Sequence, residues 1–378
     1  MNLRPTLIPL VFVALVGFAA AASLSVPAAE WQVRQSADMS TPRAAHQATL
    51  LPAHQVLLTG GCRGPGCSAV ERSAEIFNTD TGRFVATRAM NEQRVSHIAA
   101  ALPEGRVLVA GGWTGTTTSS SAEVFDPVSG GFVAVGNMAN ARMDATATAL
   151  QDGSVLVIGG ASATNQPLAQ AELFERVQAR FSPAGTMEQA RVHHAAVRLP
   201  DGRVLVMGGL RARNLATRSA EIYDPAKNRF EATGSMRQAR CKHAALLLKD
   251  GRVLVIAGST NCEEDRRIAQ TEIYDPKTAT FSPGPTLLNP RYKIAGAAAV
   301  LPSGEVLVAG DAQDVEVWTP GQPGFYKVQG GIGVGLAFSV ATALPGGDVL
   351  VTGGYDGSIR ATAQTWRARR EPTRPSPR

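Results

Sequence analysis

The chain lacks the short motifs that usually announce catalysis. It contains no G-x-S-x-G, no H-E-x-x-H, no Walker loop and no calcium-binding loop, so no common hydrolase, zincin, nucleotide or EF-hand chemistry has a motif to rest on. Aromatic residues are few, at 6%, and charged residues make up 18%, beside a hydrophobic fraction of 44% that fits a packed chain rather than a disordered one. Long apolar runs are confined to residues 7–22, about 16 residues, which is short of the ~20 that a spanning helix needs. Arg4 precedes this run and small residues follow it, the pattern of a secretory signal peptide cleaved near Ala22 or near Ala29. The expectation is a secreted or periplasmic protein with no membrane span after cleavage.

Charge of one sign is also scarcer than the total suggests. The formal net charge is +6, but residues 367–378, RARREPTRPSPR, contribute +4 and Arg4 another +1. The body between them is nearly neutral and has no bulk attraction for phosphates, which excludes nucleic acid as an expected partner. The final twelve residues have no apolar periodicity and read as a basic, Pro/Arg-rich disordered tail.

What the chain does have is repetition. The stretch LPDGRVLVMGG at residues 199–209 recurs as LPEGRVLVAGG, LQDGSVLVIGG, LKDGRVLVIAG, LPSGEVLVAG and LPGGDVLVTGG, with a worn copy, LPAHQVLLTGG, ending at Gly61. Each unit of about 50 residues divides into four short strands. A small-residue apolar run leads to an Asp-Gly type turn, which favours a tight hairpin. VLVxGG follows, apolar on both faces as a fully buried strand is. A loop leads to AEIF or AEIY, and a fourth strand opens on Phe84, Phe132, Phe181, Phe230, Phe281 or Phe325. Four antiparallel strands at this period predict an all-β fold, a seven-bladed propeller with four-stranded antiparallel blades. Seven second strands face only six fourth strands. EWQVRQSADM at residues 30–39 matches the fourth-strand pattern and is expected to complete the last blade, closing the ring and removing its open edges. The expected organisation is a signal peptide at 1–22, the propeller at 23–366 and the tail at 367–378.

The glycine pair after a hydrophobic strand, the spaced Glu-aromatic-Asp-Pro and the downstream aromatic resemble kelch repeats, over residues 31–366. Phe stands here where the fourth strand of a kelch blade usually has Trp. The architecture is similar to the propeller of galactose oxidase, which holds copper with two tyrosines and two histidines. Tyr223 and Tyr274 are repeat residues here and no Tyr-His dipeptide occurs, so copper chemistry is not expected. Sialic-acid mutarotases also resemble this architecture.

Chain direction places the loops after the glycine pairs on one face, and they vary from about three to about twelve residues. Variable loops on a rigid frame are where binding is expected. On that face a repeated arginine follows a repeated apolar residue by four: Arg43, Arg94, Arg142, Arg191, Arg240 and Arg291, with Lys293 a competing alignment in the sixth blade. Two roles remain open for these cations. They could bind acidic ligands, or they could pair with Glu75, Glu123, Glu172, Glu221, Glu272 and Glu316, since Arg and Glu are missing together from the seventh blade. Trp113, Tyr292 and Tyr355 interrupt the repeat and are candidates for stacking on a sugar or packing on a partner. His46, His97, His194 and His243 occupy one repeat position, too dispersed around a ring to chelate one metal, so neither a metal site nor a cofactor is expected.

The functional expectation is a secreted, non-catalytic kelch-repeat protein that binds a protein or glycan ligand through the variable-loop face. The alternative is an enzyme acting on an acidic sugar at the channel mouth, with no residue identifiable as catalytic. A third reading is a structural part of a larger cell-surface assembly. The four cysteines of an exported chain are expected to form disulfides. Cys62 and Cys67 share one loop, Cys241 and Cys262 belong to the fifth blade, and crossed pairs would span the ring, so Cys62–Cys67 and Cys241–Cys262 are the expected bridges.

Overall fold

Every repeat forms the four strands its pattern calls for. The structure, a computed structural model, describes residues 30–212 and 215–371. Blade 1 is Gln47–Leu51, Gln55–Thr59, Ala74–Asn78 and Arg83–Ala86, all antiparallel. Blades 2 to 6 repeat this order, with innermost strands Ile98–Ala101, Thr146–Ala149, Ala195–Arg198, Ala244–Leu247 and Ala298–Val300. Blade 7 consists of Val340–Ala343, Val349–Thr352 and Thr365–Glu371, with Glu30–Gln35 as its outermost strand. The ring is closed as expected: Trp31 pairs with Arg370, Val33 with Ala368 and Gln35 with Trp366.

One boundary differs from the expectation. Residues 367–371 belong to the last strand rather than to a tail. Composition suggested a solvated end, but the closing strand needs a partner of its own length, and Trp366 and Ala368 are buried in the core shared with blade 6. Residues 1–22, expected to be a signal peptide, and residues 372–378 lie outside the described residues.

Period-two alternation explains how a continuous apolar strand serves two neighbours at once. In blade 1, Leu57 packs toward blade 2, beside Val107, Val109 and Phe125. Val56 and Leu58 point the other way, onto Leu344 and Leu350 of blade 7. All three are completely buried. At the outer margin of this core in blades 1 to 6, a Phe at the fourth strand meets an aromatic of the third strand, with centroids 4.9 Å apart for Phe77–Phe84 and 5.1 Å for Phe125–Phe132. This tilted pair fills the place of a larger indole.

Closure makes the N-terminal strand indispensable. Deleting residues 31–33 should expose the edge of Thr365–Glu371 and the face of blade 6, lowering the thermal midpoint by well over 10 °C. Thermal unfolding of the mature protein checks this, and an unchanged midpoint would contradict it.

Candidate functional site

The repeated arginines lie in the links that cross from one blade to the next. Each guanidinium meets the third-strand glutamate of the blade it enters, at 2.6–3.1 Å. In blade 1, Arg43 also donates to the carbonyls of Gly60 at 2.8 Å and Ser73 at 3.0 Å. All six arginines are among the largest fully buried side chains. Their main-chain carbonyls face backwards. Arg94 O accepts the N–H of Gly61 at 2.8 Å, Arg142 O that of Gly112 at 2.8 Å, and Arg43 O that of Gly354 at 2.8 Å across the closing seam. One residue therefore ties two blades. The glycine before the contact is required by space: a Cβ on Gly60, at φ +59°, would stand 2.4 Å from Arg94 O.

These placements correct the expectation of an arginine ring facing a ligand. Arg43, Arg94, Arg142, Arg191, Arg240 and Arg291 are committed to the frame, because burying a guanidinium requires the partners they have. Arg291 takes the structural place in blade 6, bonding Glu316 at 2.8 Å, and Lys293 does not. Blade 7 has neither strut residue, and Leu336 is buried there instead.

Two residues after each arginine, the chain turns into the channel. Ala45, Ser96, Asp144, His193, Lys242, Lys293 and Phe338 all have φ between 49° and 57°. Seven non-glycine residues in the left-handed region at one repeat position form a ring of costly backbone that only the surrounding structure can hold. Main-chain hydrogen bonds join most of these residues to a neighbour in the ring. Ala45 N–H donates to Phe338 O at 3.2 Å, Asp144 N–H to Ser96 O at 3.0 Å, Lys242 N–H to His193 O at 3.0 Å and Phe338 N–H to Lys293 O at 3.1 Å. The seven line a cavity of about 310 Å³ at the mouth of the central channel. Sequence reasoning missed this ring, although a changing residue two places after a repeated arginine was its signal.

The mouth is chemically sorted. Asp144 stands 3.7 Å from His193 Nδ1, on neighbouring blades. Burial, offset in part by Asp144, lowers the pKa of His193 to about 4, so it is neutral at pH 7. The ammonium of Lys242 lies 5.3 Å from the Tyr292 ring centroid and 5.7 Å from that of Phe338. Lys293 approaches the same two rings at 5.3 Å and 5.9 Å and bonds Glu264 at 3.0 Å. Burial pulls the pKa of Lys242 down. For Lys293 burial is outweighed by hydrogen bonds with Tyr355 and Glu264, which raise it.

The three expected aromatics separate. Tyr355 is half-buried, with its ring 5.7 Å from that of Phe338. Trp113 is half-buried in the blade 2 loop, paired through its backbone with Val95 and Thr118, and does not line the cavity. Tyr292 is only 1% exposed, which corrects its assignment as a stacking surface. Its N–H donates to Asp311 at 2.6 Å and its hydroxyl to the Cys262 carbonyl, which draw the ring under the two lysines. The cysteines pair as expected, with Cα atoms 5.1 Å apart for Cys62–Cys67 and 5.7 Å for Cys241–Cys262. Cys241 directly precedes Lys242 of the ring, and its bridge pins the loop that carries Glu264.

Below the ring, His46 and His97 bond the threonine hydroxyls of the preceding blade, Thr352 at 2.8 Å and Thr59 at 2.9 Å, and His194 bonds Thr146 at 2.9 Å. They hold neighbouring blades in register and line the cavity beneath the ring.

The Kelch motif matches two stretches of the chain, residues 94–139 and 191–237, which contain the links and strands just described. Among solved structures, one titled "Structure of YjhT" is similar in fold, with a TM-score of 0.56 and 13% sequence identity over 87% of this chain and 95% of that one. No curated protein matches the chain in sequence. Seven four-stranded blades define a seven-bladed β-propeller, and the Kelch-motif matches at two of its repeats support a propeller of the kelch type.

Two predictions follow from the frame. Arg191→Met should cost about 3–5 kcal/mol because it strands Glu221 in the core, whereas Arg191→Met with Glu221→Leu should recover much of that; denaturant unfolding of both variants checks the pairing. The second concerns pH. Burial lowers the pKa of His46, His97 and His194 from 6.5 to about 3. The unfolded chain takes up these protons near pH 6.5 and the folded chain does so only near pH 3. The contribution of the neutral histidines is thus complete above pH 6.5 and is lost as pH falls, at about 1.4 kcal/mol per pH unit for each histidine. Replacing all three by Asn should flatten the fall in stability between pH 6.5 and 4, measured as the pH dependence of the denaturant midpoint.

Proposed function

We propose that this propeller is an exported, non-catalytic binding protein that recognises a protein or glycan ligand on its variable-loop face, with the channel mouth at the centre of the contact. The observation that carries this reading is the ring of Ala45, Ser96, Asp144, His193, Lys242, Lys293 and Phe338. The struts, glycine pairs and core strands repeat around the molecule, whereas this one position changes its chemistry from blade to blade. A frame that spends backbone strain to aim unlike side chains into one cavity fits recognition better than packing.

Other features support the location of the contact. Cys62–Cys67 and Cys241–Cys262 stand in loops of the same face, and two such pairs suit an oxidising compartment. The opposite face offers the uniform short turns, such as the one carrying the fully exposed Val128.

The test is a screen of the mature protein against a glycan array and immobilised extracellular proteins, followed by two variants. Lys242→Met with Phe338→Ala should weaken any ligand found by at least tenfold at an unchanged thermal midpoint, while Val128→Ser on the turn face should leave affinity unaltered. Full binding by the mouth variant would place the contact elsewhere.

A further inference from the structure

The ring holds a negative and a positive group facing one cavity without letting them pair. Asp144 and Lys242 sit two blades apart, on either side of His193, and among the described residues no Asp144–Lys242 contact falls within 4 Å. His193 is the nearest basic group to Asp144 and is neutral at pH 7, while Asp144, Glu263 and Glu264 act on Lys242 only from beyond contact distance. Lys293 has Glu264 at 3.0 Å, but Lys242 has no carboxylate within that bonding range among the described residues. Next around the ring comes Phe338, backed by Tyr355 at a tilt of 53°, which gives the cavity one apolar wall.

We propose that the channel mouth is a receptor for a free α-amino acid, taking its carboxylate on Lys242, its ammonium on Asp144 and its side chain against Phe338. The proposal rests on the reading of the mouth as a binding site and specifies the small ligand that site takes. A zwitterion can set an opposite charge in direct contact with each of these two separated groups, whereas an ion of one sign can contact only one of them. The size agrees: about 310 Å³, from the ring down into the channel, is at the lower end of ligand pockets and holds one amino acid. Preorganisation agrees as well. Main-chain hydrogen bonds tie Asp144 to Ser96 and Lys242 to His193, which limits the ordering left to be done when a ligand arrives. The end of a peptide chain would carry only one of the two charges, which separates that source from a free amino acid.

Calorimetric titration of the oxidised, mature protein with L-phenylalanine, N-acetyl-L-phenylalanine and L-phenylalaninamide tests this. Phenylalanine should bind at least tenfold more tightly than either half-ligand. Asp144→Asn should reduce phenylalanine to the affinity of the N-acetyl compound while leaving that compound unaffected. Lys242→Met should reduce it to the affinity of the amide. Equal or tighter binding of N-acetyl-phenylalanine by the unaltered protein would show a simple anion site and overturn the proposal, as would equal binding of the amide or no binding of any of the three. These wild-type comparisons stand even where a variant fails to fold. A glycan or protein ligand lost on mutating the mouth, together with no affinity for phenylalanine, would overturn the amino-acid proposal and leave the binding reading intact.

Discussion

The fold depends on a bond that links six of the seven blades to the one before it, the main-chain carbonyl of a buried arginine accepting a glycine N–H from the preceding blade, with Leu336 and Asp311 in these places at blade 7. The same arginine spends its side chain on the glutamate and the glycine carbonyl of its own blade. Desolvating a guanidinium and a carboxylate is expensive, and such a pair stabilises little compared with apolar residues of the same volume. Its value here is geometric. A guanidinium fork accepts few arrangements of its acceptors, so it sets the angle and distance of six of the seven blade-to-blade steps by the same means. Around a closed ring, errors in that step would accumulate.

The channel mouth is a consequence of this arrangement. In blades 1, 2 and 4 the arginine is anchored in the frame and the histidine three residues later is anchored to the preceding blade, so the residue between them swings into the channel. Its backbone takes the left-handed conformation at all seven positions, including those held by β-branch-free but bulky Phe338 and His193. Glycine would relieve the strain at each position and is found at none. The protein keeps side chains where they cost most, as functional sites do.

Asymmetry enters through the loops. Blade 6 carries two extra residues, the exposed Ala295 and Gly296, after Lys293, and Asp311 stands where other blades have the second glycine. The carboxylate of Asp311 accepts the Tyr292 N–H, and the bridged loop of blade 5 accepts the Tyr292 hydroxyl at the Cys262 carbonyl. Departures from the repeat on two adjacent blades thus build one aromatic floor beneath Lys242 and Lys293. The repeat supplies the platform, and its exceptions supply the chemistry.

Much of this was legible in the chain. Copies of VLVxGG determine buried strands because an apolar run with no polar face can only lie between two sheets. The missing fourth strand determines closure by the N-terminal segment, and the joint absence of Arg and Glu from blade 7 already implied their pairing. The cysteine partners followed from which blade each occupies. Tertiary structure alone decided which side chains meet solvent. Tyr292 looks like an exposed interruption and is buried, since its fate depends on Asp311 and Cys262, distant in sequence. Residues 367–371 look like a tail and form a strand, since their partner lies at the other end of the chain. The ring at the mouth stayed hidden for the same reason: a residue between two anchors points wherever the anchors direct it, and those anchors reach atoms in the blades on either side.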